Sequence, residues 1–243
     1  MTIIIMMISL KQKIYAKLFG DENSPISTTN LYLKFLEKIQ NNSKVLDVGV
    51  GTGIYFKNKK CIDLIRKKNI SIYGIDISED DINVAKKIIV DNNLISYVSV
   101  EYKDLLDVEH INQFDLIVFS ESYPVIPESL MKDMLNFIIN ENKFLGKVYF
   151  INNIECKPNK IKKIIKPLMK YALFGVDFGR LVSLNEMENL FKSVGFNKNL
   201  ECEFLSSSTP NFILFKNKIK IPGFNYELKQ YLISIDLNNY THD

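Results

Sequence analysis

Apolar residues recur along this chain in two rhythms that take turns. Short continuous apolar runs, KVLDVG, ISIYGID, YVSVEY, FDLIVFS and GKVYFIN, have the length and the β-branched and aromatic content of strands buried on both faces. Between them, apolar positions three and four residues apart predict helices. KKCIDLIRKKN carries Asn58 as a possible cap, SEDDINVAKKIIVDN places Ser78 and Asp81 at capping-box spacing, and PESLMKDMLNFII has Pro127 at its first turn. Strand and helix in such regular alternation imply right-handed βαβ units, hence a mostly parallel sheet with helices on both faces.

The flanks read differently. LKQKIYAKLF and TTNLYLKFLEKI predict two leading helices separated by the polar stretch GDENSPIS. After the fifth strand, NKIKKIIKPLMKYALF is a basic amphipathic helix interrupted at Pro167, and SLNEMENLFKSVGF is a helix with the capping box Ser183 and Glu186. NLECEFL and NFILFKN flank SSSTP and read as an antiparallel hairpin. The expectation is an α/β, doubly wound, seven-stranded sheet, mostly parallel with an antiparallel C-terminal hairpin. The 243 residues form one domain: a helical lid over 1–42, a core over 43–153, an insert over 154–182, a helix and hairpin over 183–217, and an unassigned tail over 218–243.

Composition narrows the function classes. Thirty-one Lys and Arg against 28 Asp and Glu leave a formal charge of +3, too small to indicate nucleic-acid or membrane binding. The three cysteines, Cys61, Cys156 and Cys202, form no CxxC pair, and the two histidines, His110 and His242, stand far apart, which argues against a zinc site or a disulfide framework. A reducing, cytoplasmic setting is expected. MTIIIMMISL is apolar but about half the length needed to span a bilayer, and no basic residue precedes it.

The stretch VLDVGVGTGIY carries the chemistry. Gly49, Gly51 and Gly53 follow the first strand directly, and glycines so dense indicate a tight turn or a close approach to a ligand. The C-terminal ends of strands are where open α/β sheets bind ligands. The spacing is GxGxG, with Ile54 where a dinucleotide fingerprint needs its last glycine, and no Lys-Ser/Thr pair follows as in a phosphate-binding P-loop.

VLDVGVGTG, then IYGIDIS, YKDLLD and FDLIVFSESY, resembles the ordered signature of class I S-adenosylmethionine-dependent methyltransferases. The resemblance covers Lys44 to Asn152. It implies that Gly49, Gly51, Thr52 and Gly53 lie against the methionine and ribose parts of S-adenosylmethionine, and that Asp47 organises this loop. It further implies that Asp76, with Ile77 beside it, accepts hydrogen bonds from the ribose hydroxyls. Asp104, followed by Leu105, matches the residue that meets the adenine amino group. The exit of the fourth strand, SESYPVIP, brings Ser120 to the cofactor and offers Glu121 and Tyr123 as catalytic candidates, with Glu121 binding or deprotonating the acceptor.

The chain departs from that pattern after Gly53, where YFKNKK precedes the helix. Tyr55 is therefore expected in the wall of the acceptor pocket and Phe56 in the core. Tyr15, Phe19, Tyr171 and Phe174, from the leading helices and the insert, are candidate substrate-binding lid residues. No metal is expected. The resemblance implies methyl transfer to an oxygen or nitrogen of a small molecule. Two alternatives stay open: a protein or RNA methyltransferase, with Glu121 and Glu128 similar to the paired glutamates of arginine methyltransferases, and a non-catalytic cofactor-binding partner subunit.

Overall fold

The computed structural model describes residues 28–120, 122, 126–155, 184–196, 201–208 and 228–237. Its elements follow the order expected up to the fifth strand: α1 (Thr28–Lys38), β1 (Lys44–Val48), α2 (Lys59–Lys68), β2 (Ser71–Asp76), α3 (Glu79–Asp91), β3 (Val98–Tyr102), β4 (Leu116–Ser120), α4 (Glu128–Asn136) and β5 (Lys147–Glu155). After these come α5 (Leu184–Ser193), β6 (Glu201–Ser208) and β7 (Leu228–Asp236).

The strands lie in the order β3-β2-β1-β4-β5-β7-β6. β1 to β5 run parallel to one another, and β7 runs antiparallel to both β5 and β6. The order reverses at β1, whose neighbours are β2 on one side and β4 on the other, so the switch point lies where the glycine loop leaves β1.

Alternation along the strands divides the core in two. Leu46 and Val48 of β1 join Ile117 and Phe119 of β4 in a cluster completed by Met131 and Leu135 of α4 and Leu190 and Phe191 of α5. Val45 and Val118, pointing the other way, pack with Leu31 and Phe35 of α1, Ile65 of α2 and Ile82 of α3. Full burial of each such side chain contributes about 1.5–3 kcal/mol. By the same two-residue period Asp47 and Ser120 face the layer of α1, α2 and α3.

Local chemistry sets the boundaries. The Asn58 side chain accepts from Lys60 N and Cys61 N, capping α2 at its start, and Asn69 ends it in the left-handed region at φ 52°. At α3 the Ser78 hydroxyl accepts from Asp81 N at 3.3 Å, but Ser78 N donates to Asp76 Oδ1 at 2.9 Å, so Asp76 fills the role the capping box reserves for a downstream acid. α1 ends under an unusual cap. Lys68 Nζ donates to the carbonyls of Leu36, Glu37 and Ile39 at 2.9, 2.7 and 2.8 Å.

The C-terminal pairing adds a strand that the sequence left unassigned. The strand paired with β6 is β7, drawn from the segment read as a tail, with Cys202 opposite Ile233 and Glu201 opposite Ser234. NFILFKN and the basic helix of the insert lie outside the described residues, as does the first leading helix. No helix among the described residues is long and apolar enough to cross a membrane.

Candidate functional site

β1 ends at Val48, whose register partner in β2 is Ile75, and the next two amides converge on that residue's carbonyl. Gly49 N and Val50 N both donate to the carbonyl of Ile75, at 2.9 and 3.1 Å, which ties the loop to the exit of β2. Gly49 sits at φ 78° and Gly51 at φ 54°, in the left-handed region that favours glycine. The two have different surroundings. A Cβ on Gly49 would lie 2.5 Å from that of Ser122, whereas one on Gly51 meets nothing within 4 Å. Gly49 is glycine for its protein neighbour, and Gly51 opens on the space above the sheet edge.

Asp76 ends β2 and holds this loop. Its Oδ2 accepts from Gly51 N at 2.8 Å and its Oδ1 from Ser78 N at 2.9 Å. A carboxylate has about four acceptor positions, so two remain for a diol. Ile77, next in sequence, is 68% exposed, an apolar surface beside a carboxylate. Asp104 caps the short turn Leu105–Asp107 by accepting from Leu106 N at 3.0 Å. Leu105 packs into the core with Val108 and Ile111, and Leu106 is the leucine of this turn left exposed.

Asp47 is wholly buried one residue before the end of β1. Its Oδ2 accepts two hydroxyls, from Tyr32 at 2.9 Å and from Tyr55 at 2.5 Å, while its Oδ1 has no partner among the described residues. The two rings stack with centroids 3.7 Å apart and planes 11° from parallel. Burial pushes the Asp47 carboxyl up to about 7, against the pull of the two tyrosine hydrogen bonds, and the nearby Asp76 charge adds to the rise. Burial beside that carboxylate raises both phenols well above their ordinary value, so they act as donors.

Tyr55 thus stands elsewhere than expected. Its ring is 2% exposed and its hydroxyl is held by Asp47, which puts it beneath the loop and not in an open pocket wall. Phe56 is core, as expected. Ser120 ends β4 buried, with an Oγ that has no partner among the described residues. Ser122 donates to the carbonyl of Val48 at 3.0 Å and so seats the β4 exit on the glycine loop. Thr52 lies half-buried within the loop. Glu121, Tyr123, Tyr15, Phe19, Tyr171 and Phe174 lie outside the described residues. Sequence reasoning missed Tyr32. A strand carboxylate facing a helical layer needs donors, and that requirement is the signal that leads to Tyr32.

The arrangement defines a class: a Rossmann-like S-adenosylmethionine-dependent methyltransferase domain. The methyltransferase-domain family model matches residues 39–206, and the chain belongs to that family. It is 31% identical over 147 residues to the ribosomal protein L11 methyltransferase of Fusobacterium nucleatum, a match covering 59% of this chain and 43% of that one. It is 33% identical over 141 residues to the phosphoethanolamine N-methyltransferase of Plasmodium falciparum, covering 56% and 46%. The chain spans less than half the length of either relative. Among solved structures, YcgJ of Bacillus subtilis superposes with a TM-score of 0.57 at 14% identity, over 85% of this chain and 96% of that one. The S-adenosylmethionine-dependent methyltransferase SibL gives 0.56 at 15% identity, over 85% and 53%. These likenesses show the fold. The cofactor is S-adenosylmethionine, and the residues present suit it: an open left-handed glycine, a carboxylate with acceptor capacity to spare and an exposed isoleucine at one sheet edge.

Proposed function

We propose that the protein transfers the methyl group of S-adenosylmethionine, in line, to an oxygen or nitrogen of a small-molecule acceptor. The observation that carries this reading is the junction of Asp76 with the loop amide of Gly51, which assembles the ribose-reading carboxylate and the open glycine into one cradle. When bound, the cofactor supplies a methyl group already activated by its sulfonium. The chain's own task is then to align the acceptor and exclude water. Asp76 orients the cofactor, Asp104 reads the adenine end, and Ser120 borders the reacting centre from β4. Glu121 and Tyr123 continue from Ser120 and are the residues we assign to the acceptor, Glu121 removing a proton where the acceptor arrives protonated. Tyr15, Phe19, Tyr171 and Phe174 close over it, in a protein we place in the cytoplasm.

The small-molecule reading is favoured by the phosphoethanolamine N-methyltransferase relative. The ribosomal protein L11 methyltransferase relative supports a second reading, with a protein acceptor. Methyl-labelled S-adenosylmethionine offered with metabolite, RNA and protein pools separates them. Label in small molecules is the expected result, and label retained on protein would replace the first reading with the second. Cofactor binding with no transfer to any pool would identify a non-catalytic partner subunit.

A further inference from the structure

Tyr32 and Tyr55 come from different elements, α1 and the turn Ile54–Lys57, yet both donate to the same oxygen of Asp47. That leaves Oδ1 buried and without a partner among the described residues. An oxygen that already accepts two hydroxyls is a poor place for a proton, so a proton on Asp47 belongs on Oδ1, where it finds no acceptor. The ionised form is equally incomplete, because it leaves a buried anionic oxygen in want of a donor. A cation brought to the glycine loop is the species that completes it.

We propose that Tyr32 is a positioning residue for the cofactor site: from helix α1 its hydroxyl holds Asp47 as a carboxylate, ready to accept from the positively charged amino-acid end of the cofactor. This rests on the methyltransferase reading above. The groups facing Asp47 are few. Tyr32 projects from α1, Tyr55 from the turn, and Asp76 adds a like charge from the end of β2, while Cys61 of α2 acts on the Tyr32 phenol. Burial and Asp76 both favour the proton, and the two tyrosines alone oppose it. When the cofactor binds to protonated Asp47, that proton leaves to bulk water and no bond to carbon changes. Helix α1 is thereby coupled to the cofactor loop, since moving Tyr32 away returns the proton to Asp47.

Calorimetry of S-adenosylmethionine binding to the full chain, from about pH 8.5 to about pH 5.5, tests the coupling. Wild-type affinity is expected to fall towards about tenfold per pH unit once Asp47 is protonated, and to fall again above about pH 8, where the cofactor's own α-amino group loses its proton. In Tyr32→Phe the acid-side midpoint moves up by about half a unit or more, so that binding is about twofold or more weaker near neutrality and about threefold or more weaker near about pH 5.5, while near about pH 8.5 it stays within about twofold of wild type. Tyr55→Phe should act in the same direction, and Asp47→Asn should bind weakly with no such pH dependence. In the free protein, the Asp47 carboxyl carbon followed by NMR should titrate higher in Tyr32→Phe, a readout that needs no ligand. A uniform loss of affinity at every pH, or an unmoved midpoint, overturns the coupling and leaves the methyltransferase reading standing. Wild type that binds no S-adenosylmethionine at any pH overturns both.

Discussion

Gly49 and Ser122 contest one space: a Cβ on the glycine would stand 2.5 Å from the serine Cβ, and the serine hydroxyl meanwhile holds the carbonyl of Val48 at 3.0 Å. The loops leaving β1 and β4, seventy-odd residues apart in sequence, are therefore fitted to each other before any ligand arrives. Gly49→Ala should lower the melting temperature markedly, because the left-handed backbone and the steric conflict both count against it, at a combined cost of about 2–4 kcal/mol. Differential scanning calorimetry reads it, and an unchanged melting temperature would mean that the β4 exit yields easily.

Gly51→Ala gives the opposite pattern. No atom stands within 4 Å of the added methyl, so only the left-handed backbone opposes it, at about 1 kcal/mol. Cofactor affinity should drop about tenfold or more, since the methyl enters the space the cofactor needs. Thermal unfolding and titration of the same sample distinguish this from general loosening of the loop.

Asp76→Ala should weaken cofactor binding by about 2–4 kcal/mol, from the loss of charge-assisted hydrogen bonds to the ribose. It should also destabilise the free protein by about 1–3 kcal/mol, because the carboxylate holds Gly51 N and Ser78 N in the absence of ligand. A melting temperature equal to wild type would mean that these two amides need no carboxylate in the free protein.

Asp47 makes the stability of the free protein depend on pH in an unusual sense. Between the ordinary carboxylate value of 3.8 and about 7 the folded protein keeps a proton that the unfolded chain has released. Folding then takes up a proton, so stability falls as pH rises across that interval and levels off above it. Asp47→Asn removes the buried charge and should flatten the profile, making the free variant more stable than wild type at about pH 8 by on the order of 1–3 kcal/mol. Urea titrations at several pH values measure this, and a wild-type profile that rises from pH 4 to 7 with no change in the variant would refute it.

Lys68→Met removes one ammonium from three carbonyls at the end of α1. A loss of about 1.5–3 kcal/mol is expected, seen as a lower urea midpoint at constant slope.

The first five strands and the helices between them were legible because each obeys a single period: continuous apolar runs for strands covered on both sides, and three-and-four spacing for helices with one buried face. β7 was not. LKQYLISID mixes Lys229, Gln230 and Ser234 among its apolar residues, so no clean apolar run marks it. Asp76 and the glycines were legible as parts of one ordered motif, although the bond from Gly51 N to Asp76 was not. The partners of Asp47 were not, since the contact with Tyr32 spans fifteen positions and depends on how α1 crosses the sheet. Tyr55 was visible as an aromatic after the loop, but its direction is set by the turn Ile54–Lys57, a short element with no periodic signature.

The place of β7 imposes a schedule on synthesis. Residues 228–236 enter between β5, complete at Glu155, and β6, complete at Ser208, so the space between these two strands is vacant until the last described strand leaves the ribosome. Until then the open edge of β5 exposes the backbone that will pair Val148 with Ile235 and Phe150 with Ile233, a ready template for another chain. The glycine loop and its cradle, built from strands made much earlier, can take shape while that edge is still open. A nascent chain of this protein can therefore set its glycine loop before its sheet is sealed.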